Sequence, residues 1–514
     1  MLVQRDTILK DKAVDQFIDA ILNHDQAKTA DIFFNLVRRE GRTLGDALSV
    51  VTAAEAPFVQ VPNHINIRDG QITLINNDHT ILGLRTSAHL MPYLPDEYKM
   101  LAMLQSVWYI PAGLDIWNQL AGKYPGRYAS MKNMHIPLED KRPVVWNDDQ
   151  QPIVENGSLE ERLHSYMVAN MSGDVRRSYG LFLGLAAEEA ARPALRDTLM
   201  FMGLIDVQET IIGRKARNTG HKALRARAIV DLADYIGWDR AHGVFYTGVP
   251  DMAVGPLYFS AYDAACVLTV DEFPNAGKDL EKTNQTPLSP PEVEAMIHLL
   301  MTGESNAVWD AVTAHLKAGK SIRSIGDTIA VGAAEIILRT TVPRKFTDGQ
   351  HAFDYCNTAN TWMRTSDNAY KARILYLMAN FVNDAARSNQ LFEAPAEAGA
   401  YDGSGRSAAE ILKDQDDIIL SFDFPRATQA AEAYLRSGAD RRAFMAATAI
   451  TACKFQDDPH NQKISHSTFE EYENNTTHLR DRLLMATVRQ LAGWPKMPGG
   501  RDCHARFEKE WRLN

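Results

Sequence analysis

The chain has 514 residues, 45% hydrophobic and 23% charged, the ordinary balance of a globular protein, and is long enough for two lobes or one extended helical array. A formal net charge of -10 argues against a nucleic-acid or anionic-membrane partner. The four cysteines (Cys266, Cys356, Cys453, Cys503) are far apart and form no CxxC pair, which argues against a disulfide framework or zinc-thiolate site and for a reducing, cytoplasmic setting.

In chain order, the start "MLVQRDTILKDKAVDQF" has no apolar signal-type core. The run "AVDQFIDAILNHDQAKTADIFFNLVRREG" spaces its apolar residues three and four apart and predicts helix. "HINIRDGQITLI" predicts one β-hairpin near residues 64–75, turning at Asp69-Gly70. Loops are expected at 138–157, 272–290 and 393–407, where Pro, Gly, Asn and charged residues gather. Helical periods return in "VRRSYGLFLGLAAEEAARPALRDTLMFMGLI" and in "DNAYKARILYLMANFVNDAARS", and "SPPEVEAMIHLL" carries the signals of a helix start at Ser289. No run is long and apolar enough for a membrane span. The expected fold is all-α, an array of helical hairpins with one short β-hairpin. Residues 1–137 are expected to form an N-terminal helical region with the β-hairpin and the first histidine unit, and 158–514 a helical-repeat region with the remaining histidine motifs, the whole as one continuous structural unit.

Within this array one local frame recurs. "GRKARNTGHKAL" and "PRKFTDGQHAF" each place a histidine after Arg-Lys and five further residues, giving His221 and His351 with Arg214 and Arg344 upstream. Shifting by 272 residues adds His79, bringing Tyr98-Lys99 onto Tyr370-Lys371 and Thr86 onto Thr358. Asp96, Asp239 and Asp367 mark the turn after each first helix, within one residue of register. Cap and turn residues precede each histidine ("INND", "RNTG", "TDGQ"), so a helix start is expected at His79, His221 and His351. Equivalent helix starts in a stacked array bring three imidazoles to one end. Duplication of a purely structural unit would leave the same pattern.

A fourth element, "DDPHNQKIS", puts Pro459 in the first turn of a helix with His460 and Lys463 three apart on one face, while His466 is expected to point elsewhere. An ammonium cannot bind a metal, but a lysine converted by CO2 to a carbamate offers a carboxylate. Imidazoles with an oxygen ligand suit non-haem iron. His64, His89 and Asn357 are candidates for substrate contact or support of the ligands. Asp354, three residues after His351, is expected to orient its imidazole. Tyr355 and Cys356 read as packing residues.

These motifs resemble the questin oxidase-like proteins. "GHKALRARA" resembles their His-Pro-Leu-Ile/Val-Arg-Leu-Ala helix start, "QHAFDYCNTANTWMR" their Leu-His-Ala-Val-Thr…His-Ala-Leu-Arg segment, and "DDPHNQKIS" their Asp-Glu-His-Val-Ile-Lys-Leu. The three motifs spread over about half of the chain. Lys222 replaces the proline of the first, and Asn357 stands near the second histidine of the next. The resemblance implies an all-α oxygenase of the kind known from polyketide tailoring, with Fe(II) held by histidines and a carboxylated lysine. By position these are His221, His351, His460 and Lys463, with His79 added from the internal repeat. A small-molecule substrate and O2 are then the partners. The other readings are a non-catalytic helical-repeat interaction protein and a metal-free Baeyer–Villiger-type oxygenase. No GxGxxG after a strand, GxxxxGK[ST], GxSxG, HExxH or CxxCH occurs, so nucleotide, serine-hydrolase, zincin and covalent-haem chemistry lack support.

Overall fold

A computed structural model describes residues 5–66, 71–76, 79–123, 150–207, 220–253, 259–274, 280–395, 401–455, 459–494 and 500–512. The class is all-α. A two-stranded antiparallel hairpin, β1 (Gln60–Asn66) and β2 (Gln71–Asn76), is the one sheet among the described residues, and its Asp69-Gly70 turn lies outside them. No described helix is long and apolar enough to cross a membrane.

The helices framing the centre are α1 (Leu44–Val59), α2 (His79–Leu90), α3 (Lys99–Lys123), α4 (Arg192–Ile205), α5 (His221–Ile236), α6 (His242–Met252), α7 (Ile322–Arg339), α8 (Phe346–Thr365), α9 (His460–Asn474) and α10 (Asp481–Gly493). Four of them close a ring, α2 beside α5, α5 beside α8, α8 beside α9, and α9 back against α2. The rest wrap it: α3 on α2, α4 on α5, α7 across α8, and α10 against α9.

The ring helices run parallel, and side-chain pairs fix their register. Counted from the four histidines, the sixth residue onward is Arg85, Arg227, Asn357 and His466. Arg227 Nη1 donates to Asn357 Oδ1 at 2.7 Å, and Arg85 Nη1 lies 3.1 Å from His466 Nδ1. The tenth is His89, Asp231, Thr361 and Glu470. His89 Nε2 is 3.7 Å from Asp231 Oδ2, and Thr361 Oγ1 donates to Glu470 at 3.3 Å. Equal offsets pairing with equal offsets require the helices to share a direction.

The helix starts at His79 and His221 fall as expected, and those near His351 and Pro459 differ. α5 begins at His221, since Gly220 takes a left-handed turn (φ 63) with Tyr355 and Phe381 close behind it. α8 begins at Phe346 rather than His351, which makes His351 its sixth residue. Gly349, read as a turn former, is helical and packs tightly on Ile336 and Ile337 of α7. Pro459 precedes α9 as its cap residue instead of sitting in the first turn. The expected turn markers hold their places: Asp96 and Asp239 lie in short 3-10 turns, and Asp367 follows the end of α8. Ser289 begins its helix with its backbone N–H donating to Glu292 at 2.7 Å.

Candidate metal centre

His79 and His221 open their helices, His351 lies in the second turn of α8, and His460 opens α9. Because the four helices are parallel neighbours, their imidazoles meet. Ring centroids are 5.3 Å apart for His79–His221, 4.8 Å for His221–His351, 5.8 Å for His351–His460 and 5.2 Å for His460–His79. The cyclic order of the imidazoles is that of the helices. His221, His351 and His460 are buried, and His79 is partly exposed.

Two imidazoles touch directly, with His221 Nε2 2.8 Å from His351 Nε2. His351 Nδ1 lies 2.8 Å from the Thr347 carbonyl, which can only accept, so Nδ1 carries the proton and Nε2 offers its lone pair inward. Burial first, then His221, Lys463 and His460, hold His351 well below the usual imidazole range, so it is neutral at pH 7. His460 stacks on Trp494 with centroids 4.3 Å apart and planes 18° from parallel. Its backbone carbonyl accepts from Gln350 Nε2 at 2.8 Å, and Gln490 of α10 holds Gln350 in turn at 2.9 Å. The positive ends of α2, α5 and α9 also converge here, which favours neutral imidazoles and anions over cationic histidine.

One turn further along, at the third residue from each histidine, stand Leu82, Leu224, Asp354 and Lys463. Asp354 is 1% and Lys463 4% exposed. Lys463 Nζ and Asp354 Oδ2 are 3.7 Å apart, too far for a hydrogen bond, and neither Nζ nor either carboxylate oxygen finds a hydrogen-bond partner among the described residues. Asp354 therefore faces Lys463, and Thr347 is what orients His351, contrary to expectation.

Below lies a layer of closed ion pairs. Arg85 Nε donates to Asp231 Oδ2 at 3.0 Å, and Arg227 Nη2 donates to Glu470 Oε1 at 2.6 Å. Asn357 joins it by donating to Glu470 at 3.0 Å. His466 does not point away: it is buried in the same interior against Arg85, and its ring is 5.3 Å from that of His89. Arg196 adds a contact to Asp231 Oδ1 at 3.3 Å, so both carboxylates are compensated and this layer closes the centre from beneath without calling for a ligand. Sequence reasoning missed Arg85, Arg227, Asp231 and Glu470, although the common offsets of six and ten residues were available once four histidines were aligned. It singled out Arg214 and Arg344 instead. Arg214 lies outside the described residues, as do the side chains of Arg344 and of His64, which sits in β1. Tyr355 and Cys356 are fully buried, and the Tyr355 hydroxyl donates to the Leu204 carbonyl at 2.8 Å.

Chemically, four converging imidazoles with a buried Asp–Lys pair make a nitrogen-rich donor set with oxygen nearby, the type that suits iron, zinc or copper. As the side chains stand, no group of three or more His, Cys, Asp or Glu among the described residues is arranged to hold a metal ion. Two imidazoles on one tetrahedral ion at bond lengths near 2.05 Å have nitrogens about 3.3 Å apart. The 2.8 Å His221–His351 pair would thus have to open by about half an ångström. Rotation about the side-chain bonds supplies such a movement without shifting the helices. No protein-family model, curated protein or solved structure matches this chain.

Proposed function

We propose that the chain is a non-haem iron, O2-dependent oxygenase acting on a small organic substrate, with the metal held by His79, His221, His351 and His460. The observation that carries this reading is the closed ring of four imidazoles, one from each of four parallel helices. The donor set alone leaves several metals open, and the choice of iron rests on the resemblance of the histidine motifs to questin oxidase-like proteins. Iron bound there supplies the activation of O2 that side chains alone cannot provide.

The chain's own groups have separate tasks. Thr347 fixes the His351 tautomer, and Trp494 holds the plane of His460. Lys463, carried on the same face as His460, is the position for a carbamate that adds an oxygen ligand. There CO2 joins the neutral amine, the C–N bond forms, and one proton leaves. His79 is the least buried of the four, and the ion-paired layer keeps water out from below.

Elemental analysis of untagged protein after anaerobic Fe(II) loading tests the proposal. Near-stoichiometric iron is expected in the wild type, with a fall of at least about tenfold in affinity for His221→Ala and His460→Ala. Substrate-dependent O2 uptake is the second readout. Wild-type protein that takes up no transition metal would sink the oxygenase reading. It would favour the second one, a helical-repeat interaction protein, which the direct His221–His351 hydrogen bond already suits because two of the imidazoles satisfy each other.

A further inference from the structure

Resting on the carbamate reading of Lys463, we propose that Asp354 is the positioning residue for that lysine, holding its Nζ so that a carbamate turns toward the imidazoles. Asp354 and Lys463 occupy matching places, each three residues beyond its histidine, on adjacent parallel helices. Their charged groups are 3.7 Å apart and buried. The Asp354 carboxylate accepts no hydrogen bond among the described residues, and Lys463 Nζ donates none. A buried carboxylate without a donor is costly, and a buried ammonium at non-hydrogen-bonding distance offsets only part of that cost.

A carbamate resolves this arrangement. When the CO2 carbon bonds to Nζ, the nitrogen keeps one hydrogen and the other leaves to solvent as a proton. The retained N–H is a donor with one carboxylate beside it, that of Asp354. With that hydrogen directed at Asp354, the new carboxylate lies on the other side of the nitrogen. The charges balance as well: four neutral imidazoles, a dication, one carbamate and one carboxylate sum to zero. The third-residue level supplies no competing polar group from α2 or α5, where Leu82 and Leu224 stand.

The test is iron uptake by the chain across a series of 13C-bicarbonate concentrations, with the carbamate carbon followed by 13C NMR in the protein loaded with diamagnetic Zn(II). Asp354→Leu removes the acceptor, and Asp354→Asn keeps one acceptor oxygen in the same shape. The bicarbonate concentration for half-loading is expected to rise about tenfold in Asp354→Leu, as for one lost charge-assisted hydrogen bond, and about threefold in Asp354→Asn. A merely structural residue would leave this concentration unmoved. Should the leucine variant fail to fold, the asparagine variant decides by itself. A bicarbonate curve matching wild type overturns the role of Asp354 while leaving the iron site standing, as does a wild type that holds iron but shows no carbamate signal when loaded with Zn(II). A wild type that binds no iron removes the underlying functional reading instead.

Discussion

Glu55 in α1 is the residue whose ionisation costs the fold most visibly. Its side chain is 2% exposed, and neither carboxylate oxygen has a hydrogen-bond partner among the described residues. Burial pushes its pKa from 4.5 up to about 8, opposed only by the nearby Thr80 hydroxyl of α2. The sign follows from linkage. The folded state holds the proton more tightly than the unfolded chain, so this contribution to stability is complete below about pH 4.5 and is lost as pH rises through about 8. Glu55→Gln carries no such term. The stability of wild type relative to Glu55→Gln should therefore fall between pH 5 and 8, by up to about 1.4 kcal/mol per pH unit. Thermal melts of both proteins across that range measure it, and a difference that stays constant with pH would contradict the buried-carboxyl account. Nothing in the sequence marks Glu55. It lies outside the histidine frame, and only the packing of α1 shows its burial.

At the scale of elements, glycine had two meanings that the sequence did not separate. "RNTG" and "TDGQ" look alike as helix-start signals, yet Gly220 turns left-handed and starts α5 while Gly349 lies inside α8. The difference is tertiary. Gly220 meets aromatic rings at its turn, and Gly349 lets α8 approach α7 closely. The all-α class, the hairpin and the turns after each first helix were legible because they depend on local period and capping. Which helices would become neighbours was not, since that is decided by packing over hundreds of residues. Gly243 in α6 makes a sharp test of such packing. A methyl group there would overlap the backbone of Thr52 and Ala53 in α1, and backbone cannot rotate aside as a side chain can. Gly243→Ala should destabilise by about 1–3 kcal/mol, as overpacking does. Gly319→Ala, whose methyl group meets open space, pays only for its left-handed backbone. Equilibrium denaturation of the pair would rank them, and a smaller loss at Gly243 would disprove the close approach of α6 to α1.

For the whole molecule, the repeated histidine was the legible part of the centre and its meaning was not. Four histidines at positions 79, 221, 351 and 460 are dispersed over most of the chain, and parallel helices bring them within one ring of contacts. The same register builds a second layer about 9 Å along the axis, six residues at 1.5 Å each. That layer is ionic and self-satisfied, whereas the histidine layer has converging donors. The two layers should therefore respond differently to substitution. Arg227 is buried and pairs with both Glu470 and Asp231. Arg227→Leu leaves those carboxylates undercompensated and should cost about 3–5 kcal/mol. It touches no imidazole of the ring, so a metal that binds the ring should still raise the melting temperature of this variant. The gain for a ligand at a hundred times its Kd is about 2.7 kcal/mol. His460→Ala should show the opposite pattern, a modest loss without metal and a rise cut to about half or less when Fe(II) or Co(II) is added anaerobically. Melting temperatures of the three proteins with and without metal separate these outcomes. An equal metal-induced rise in wild type and His460→Ala would mean that the ion binds away from the ring, and the parallel helices would then have gathered their histidines for packing alone.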